Sequence, residues 1–170
     1  MDGSNELDAP ALRRLAELVH RGTGDEDGDA ELAQRLVRLA DTGEAHQLDL
    51  NTLLRLPDLV YRGADDEVGD PDLAERPLRL AAATGDVRAV ESLGSFLLWA
   101  QDDGEAARPW LLRGAELGDG NAMANLGDMS DFEEDEEQAE LWYARAVEAG
   151  NERAGAELAA LRELRERRES

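Results

Sequence analysis

Two histidines, His20 and His46, are the only side chains of this 170-residue chain whose ordinary pKa lies near neutrality. Acid–base work at neutral pH, or strong nitrogen ligation of a metal, would have to begin with them. His20 falls at the end of an apolar-periodic stretch and His46 stands alone, while Ser92 and Ser95 have no histidine near them in sequence. With no cysteine there is no disulfide framework, redox pair or thiolate metal site, and with no lysine there is no lysine-bearing phosphate loop. Asp25, Asp27 and Asp29 alternate like the opening of a calcium loop. However, Ala30 stands where such a loop needs glycine, and no glutamate follows at the twelfth position. The expected reading there is a solvated turn plus a helix cap. These residues predict no catalytic set, no cofactor and no metal, and so a protein that is not an enzyme.

What remains is charge. All 18 basic residues are arginine, set against 40 Asp and Glu, for a formal net charge of -22. Such a surface repels nucleic-acid phosphate and anionic lipid, because binding either one needs basic side chains to displace counterions. No direct nucleic-acid or membrane partner is expected; a protein or peptide partner with a basic surface is, unless the charge serves solubility alone. Residues 131–137 concentrate six carboxylates in seven positions at the opening of a helix, where negative charge suits the helix dipole. That run motivates an alternative expectation: an acidic inhibitor, immunity-type or decoy protein that covers a basic site on a toxin or a nucleic-acid-binding enzyme. The opening MDGSNELDAP lacks a basic segment followed by an apolar run, and no stretch approaches the roughly 18 apolar residues of a membrane span, so the cytoplasm is the expected location.

Helices must position whatever this chain uses. After an acidic leader over 1–8, Leu12, Leu15, Leu18 and Val19 form a helical stripe that ends near Gly22. An acidic turn over 23–28 follows, with Asp29 as the expected cap, and Leu32, Ala33, Leu36, Leu39 and Ala40 make a second stripe closed at Gly43. Residues 15–40 align without a gap on 56–81 and match at 15 of 26 positions, so a whole helix-turn-helix is duplicated. Pro57 and Pro77 fall inside the second copy and predict bends, and Pro109 threatens a later helix. Further on, Gly85, Gly118 and Gly150 recur at spacings of 33 and 32 residues, each where a helix must stop. Asp86, Asp119 and Asn151 follow them as caps. Such periods belong to stacked helical-repeat proteins. The predicted fold is all-α, an α-solenoid of about four stacked antiparallel helix pairs with a C-terminal capping helix. A single repeat domain over 9–170 is expected, with units at about 9–43, 44–85, 86–118 and 119–150 and a cap at 151–170. In that cap Leu158, Leu161 and Leu164 form a narrow apolar stripe, and Glu163 and Arg167 are spaced to pair.

The string Ala82-x-x-Gly85-Asp86-x-x-Ala89-x-x-x-Leu93-Gly94 resembles the Sel-one-like repeat, a branch of the tetratricopeptide superfamily. It recurs over 115–127 and, with substitutions at both ends, over 147–159. Trp142-Tyr143-x-x-Ala146 is similar to the family's aromatic-plus-alanine second helix, and Trp110-Leu111-x-x-Gly114 is a weaker relative. The resemblance is strong over 74–160 and looser over 9–73. It implies a solenoid that serves as adaptor, scaffold or regulator, with first helices lining a concave groove. Positions off the core face of those helices are then the partner-binding candidates: Arg14 and Arg21 with Glu17, Arg55, Asp58 and Arg62, then Ser95 and Trp99 with Glu91 and Ser92, then Asn125 and Asp128. Arg13, Arg14, Arg21, Arg55 and Arg62 give the first part of the groove a basic character suited to carboxylates.

Overall fold

The computed structural model describes residues 7–22, 27–61 and 70–169. Among them the chain is all-α, and within each of its two units helices pack against each other in pairs. It divides into two compact units, Met1–Ala89 and Val90–Ser170.

In the first unit α1 (Ala9–Gly22) packs on α2 (Asp27–Thr42). A 3-10 turn at Ala45–Gln47 leads to α3 (Leu50–Tyr61), which packs on α4 (Pro71–Ala82) and also touches α1. The duplicated stripes meet in the middle: Leu12, Leu15, Val19, Leu36, Leu56 and Val60 are all essentially out of water. Each such aliphatic side chain contributes about 1.5–3 kcal/mol on burial. α2 starts at Asp27, two residues ahead of the expected cap at Asp29. The helices run through the prolines without a break. Pro57 lies inside α3, Pro77 inside α4, and Pro109 inside α6 of the second unit. Each removes one helical hydrogen bond, but Pro57 and Pro77 are buried, so packing of the ring helps offset the loss.

The second unit holds most of α5 (Val87–Trp99), then α6 (Gly104–Glu116), α7 (Gly120–Phe132), α8 (Glu136–Glu148) and α9 (Glu152–Glu169). Asp103, Asp119, Asp135 and Asn151 cap α6, α7, α8 and α9 by accepting the backbone N–H three residues on, at 2.8–3.1 Å. In the first unit Asp8, Asp49 and Asp70 do the same for α1, α3 and α4, so a share of the acidity is structural. Gly85, Gly118 and Gly150 all take left-handed φ angles of 80–89°, as their turn positions require.

Small residues let these helices approach closely. A Cβ added at Gly94 would lie 2.7 Å from Leu111 of α6, and one at Gly127 would lie 2.5 Å from the Tyr143 ring of α8. Leu111 and Tyr143 occupy equivalent places in successive hairpins, so each first helix offers bare backbone to the second helix of its own pair. Between hairpins, Gly114 faces Ala122, with an added Cβ 2.7 Å from the alanine's own. The core closes with Ala124, Ala139, Tyr143, Ala146, Ala154, Leu158 and Leu161. Leu164 departs from the expected α9 stripe and is about half exposed. Its end of α9 is fixed by ions instead: Glu140 pairs with Arg162 and Arg165, and Glu136 with Arg168. The expected pair between Glu163 and Arg167 is present.

Candidate functional site

Ser95, Trp99, Asn125 and Asp128 come together in the second unit. Ser95 on α5 donates its hydroxyl to Glu91 Oε1 at 2.6 Å and accepts from Asn125 Nδ2 on α7 at 2.7 Å. Asn125 is buried, and its Oδ1 accepts from the indole N–H of Trp99 at 3.4 Å and from Arg153 Nη2 on α9 at 3.5 Å. Arg153 Nη1 in turn donates to Asp128 Oδ1 at 3.0 Å, while its Nη2 stands 2.9 Å from Oδ2, close for an ion pair but not aligned as a hydrogen bond. The same Oδ1 receives the Tyr143 hydroxyl at 2.8 Å. One polar row thus links α5, α7, α8 and α9, and Asn121 and Asn151 add a further bond of 2.8 Å between α7 and the start of α9.

The environment tunes these groups in different directions. Burial, reinforced by the charge of Asp119, raises the Glu91 carboxyl above its ordinary range against the opposing hydrogen bond from Ser95. Burial first, and then the bond to Asp128, pushes the Tyr143 hydroxyl far from ionisation. The bond to Asp128 holds Arg153 more firmly in its charged form. Apart from Asp128 Oδ2, which has only the ion pair with Arg153, the polar groups of the row are hydrogen-bonded to one another; the serine's neighbours are a carboxyl and an amide, a poor arrangement for nucleophilic attack.

Beside this row lies a groove. Trp99 ends α5 and Phe132 ends α7, at positions 33 residues apart in the repeat. They remain 64% and 92% exposed, while buried Met129 forms part of the lining. Together with Leu98 they line a depression of about 670 Å³, within the range of roughly 300–1,000 Å³ usual for binding clefts. Gly104, at the start of α6, contributes no side chain to one wall; an added Cβ there would make ordinary contacts, 3.4 Å from Met129 Cε and 3.9 Å from Leu98 Cδ1. Asp102, Glu105, Asp128 and Glu133 supply acidic groups to the lining, and Glu133 is paired with Arg108.

The other candidates lie in the first unit. Arg14 pairs with Glu17 at 2.9 Å and Arg13 with Asp41 at 2.8 Å, so part of the expected basic strip is already met by carboxylates. Arg21 and Asp58 are exposed, and Arg55 borders a shallow cleft of about 230 Å³ with Glu31, Leu32, Arg35 and Thr52. Arg62, like the acidic turn over 23–26 and the stretch over 65–67, lies outside the described residues. His20 and His46 are both exposed. Among the described residues no group of three or more His, Cys, Asp or Glu is placed to hold a metal, and no helix is long and apolar enough to cross a membrane.

Sequence reasoning missed Phe132, Tyr143 and Arg153 as site residues. Phe132 was detectable, since it repeats Trp99 at the period of the motif. Arg153 was not, because its role depends on how α9 lies beside α7. The acidic run proves to be divided in its tasks. Asp135 caps α8, Glu133 and Glu136 pair with arginines, and Glu134 takes a left-handed φ of 60° in the turn.

No protein-family model, no curated protein and no solved structure matches the chain.

Proposed function

We propose that this chain is a non-enzymatic protein-interaction module, an adaptor or regulator, that holds a protein or peptide partner in a groove of its second unit, between the ends of α5 and α7 and the start of α6. The observation that carries the proposal is the pair of exposed aromatic side chains, Trp99 and Phe132, flanking a groove beside a rigid hydrogen-bonded row. Large aromatic groups left in water on an ordered scaffold are characteristic anchors of protein interfaces. The polar row fixes the scaffold beneath them, which lowers the ordering cost of binding. The Sel-one-like resemblance over 74–160 points to the same class of activity. The acidity of the chain fits a cytoplasmic partner with a basic surface, and the same acidity suits the inhibitor or decoy version of the reading.

Photo-crosslinking tests the proposal. A crosslinking amino acid is placed at position 132, and in a second variant at Leu112, an exposed side chain of α6 outside the groove. In the native cell the first variant should give a discrete protein adduct that the second does not. Equal adducts from both positions, or none from position 132, would reject this face.

A further inference from the structure

We infer that the groove between Trp99 and Phe132 receives a partner segment carrying an arginine or lysine next to a large aliphatic side chain. The inference rests on the interaction-module reading and specifies its partner. Two features of the groove select for opposite halves of such a segment. Leu98 and Met129, with the two aromatic side chains beside them, offer an apolar surface on which an aliphatic group leaves water. The acids that border them select the other half. Asp128 is matched by Arg153 and Glu133 by Arg108, which leaves Asp102 and Glu105 as exposed carboxylates of the lining. A carboxylate-bearing segment would be repelled there, and an uncharged one would forgo the attraction. Trp99 adds a surface for the cation itself, because a guanidinium or ammonium is attracted to an indole face. Its N–H is already engaged by Asn125, so the ring is held in place while most of it stays open to solvent.

Selection of a random peptide library on the purified full chain tests this, with wild type, W99A/F132A and D102N/E105Q compared. Asparagine is chosen at 102 because that residue has a φ of 54°, which asparagine accepts. All four side chains are exposed, so the variants should fold as the wild type does. The expected result is enrichment of peptides that place Arg or Lys beside Leu, Ile or Met. Their affinity should fall by about tenfold or more in W99A/F132A, the loss usual for aromatic anchors. It should fall less in D102N/E105Q, and that variant should be the less sensitive to salt. Basic peptides also adhere to any protein of charge -22, but such adhesion ignores the loss of two aromatic rings. Groove-dependent peptides that are acidic or lack a cation would overturn the assigned chemistry while leaving the interaction module standing. Peptides that bind W99A/F132A as well as wild type, or no enrichment at all, would remove the groove and the proposed function together.

Discussion

Replacing Gly127 with alanine should destabilise this protein, although alanine is the better helix former. In an exposed helix interior the exchange gains about 1 kcal/mol. At Gly127 the new methyl would lie 2.5 Å from both Cδ1 and Cε1 of Tyr143, where carbon atoms prefer about 3.5–4.0 Å. The ring must therefore retreat by about 1 Å or more. It has little room to do so, being buried and tied through its hydroxyl to Asp128. Overpacking of this kind costs about 1–3 kcal/mol. Weakening the hydrogen bond to a charged acceptor adds to it, at most about 1.5–3 kcal/mol if the bond is lost. Against the helical gain the net loss should be about 1–3 kcal/mol. Gly155 is the control. It too is helical, but the nearest atom to an added Cβ is Val147 Cγ2 at 3.9 Å, an ordinary contact, so G155A should gain up to about 1 kcal/mol.

Thermal and urea unfolding followed by circular dichroism read both variants. For a chain of this size each kcal/mol moves Tm by about 2–4 °C, so G127A should melt several degrees below wild type and G155A slightly above. Gly94→Ala should also lower Tm, since the added Cβ would lie 2.7 Å from Cδ2, 2.9 Å from Cγ and 3.2 Å from the backbone N of fully buried Leu111. A G127A protein as stable as wild type, or a G155A protein that moves in the same direction, would refute the argument that bare backbone in the first helices is there for packing.

Glu91→Gln should stabilise the protein at pH 7. Burial makes the folded carboxyl harder to ionise than the unfolded one, so ionisation opposes folding above the ordinary carboxyl pKa and ceases to matter below it. The Tm advantage of the variant should therefore shrink as pH falls through the range from the raised value to below about 4.3, and an advantage that is constant with pH would count against it. Asp119→Ala removes the cap of α7 and should cost about 1 kcal/mol, while Asp119→Asn should retain most of that, both measured by urea midpoint. A double-mutant cycle of Asp128→Ala with Tyr143→Phe should show coupling of at least about 0.5 kcal/mol, because each removes one end of the same bond; additive losses would mean that the bond contributes nothing.

Local rules made much of the scaffold readable. The turn glycines needed only the fact that a helix stops where a left-handed residue follows, and the capping acids only their place one residue beyond. Leu12, Leu15 and Val19 declared their burial by spacing. Leu164 shows where spacing fails: it continues the α9 period but is exposed, at an end of the helix held by arginines and glutamates. The helices continue through Pro57 and Pro77, because the cost of a missing N–H is local whereas the packing that offsets it is not. Ser95 and Asp128 could be assigned to first-helix positions off the core from the repeat alone, whereas Asn125, expected there with them, is buried because it bonds Ser95, Trp99 and Arg153 between the helices. That the three would bond through Arg153 could not be read, since the atoms concerned are 25–30 residues apart and meet only when successive hairpins are stacked.

The acidity of the chain now separates into parts with different meanings. Carboxylates of Asp8, Asp49, Asp70, Asp103, Asp119 and Asp135 accept backbone N–H groups at helix starts and would be needed in any protein built of so many short helices. Others, such as Glu136 and Glu140, neutralise arginines of α9. Neither set distinguishes one face from another. Asp102 and Glu105 do, because they flank the aromatic rings of Trp99 and Phe132, which stay 64% and 92% exposed. A charge beside an apolar anchor speeds encounter and rejects like-charged competitors, whereas the anchor slows departure. The two roles predict different kinetic signatures at one groove: loss of the acids should act on the association rate and its salt dependence, and loss of Trp99 or Phe132 on the dissociation rate. A surface whose acidity served solubility alone would have no reason to divide its effects in that way.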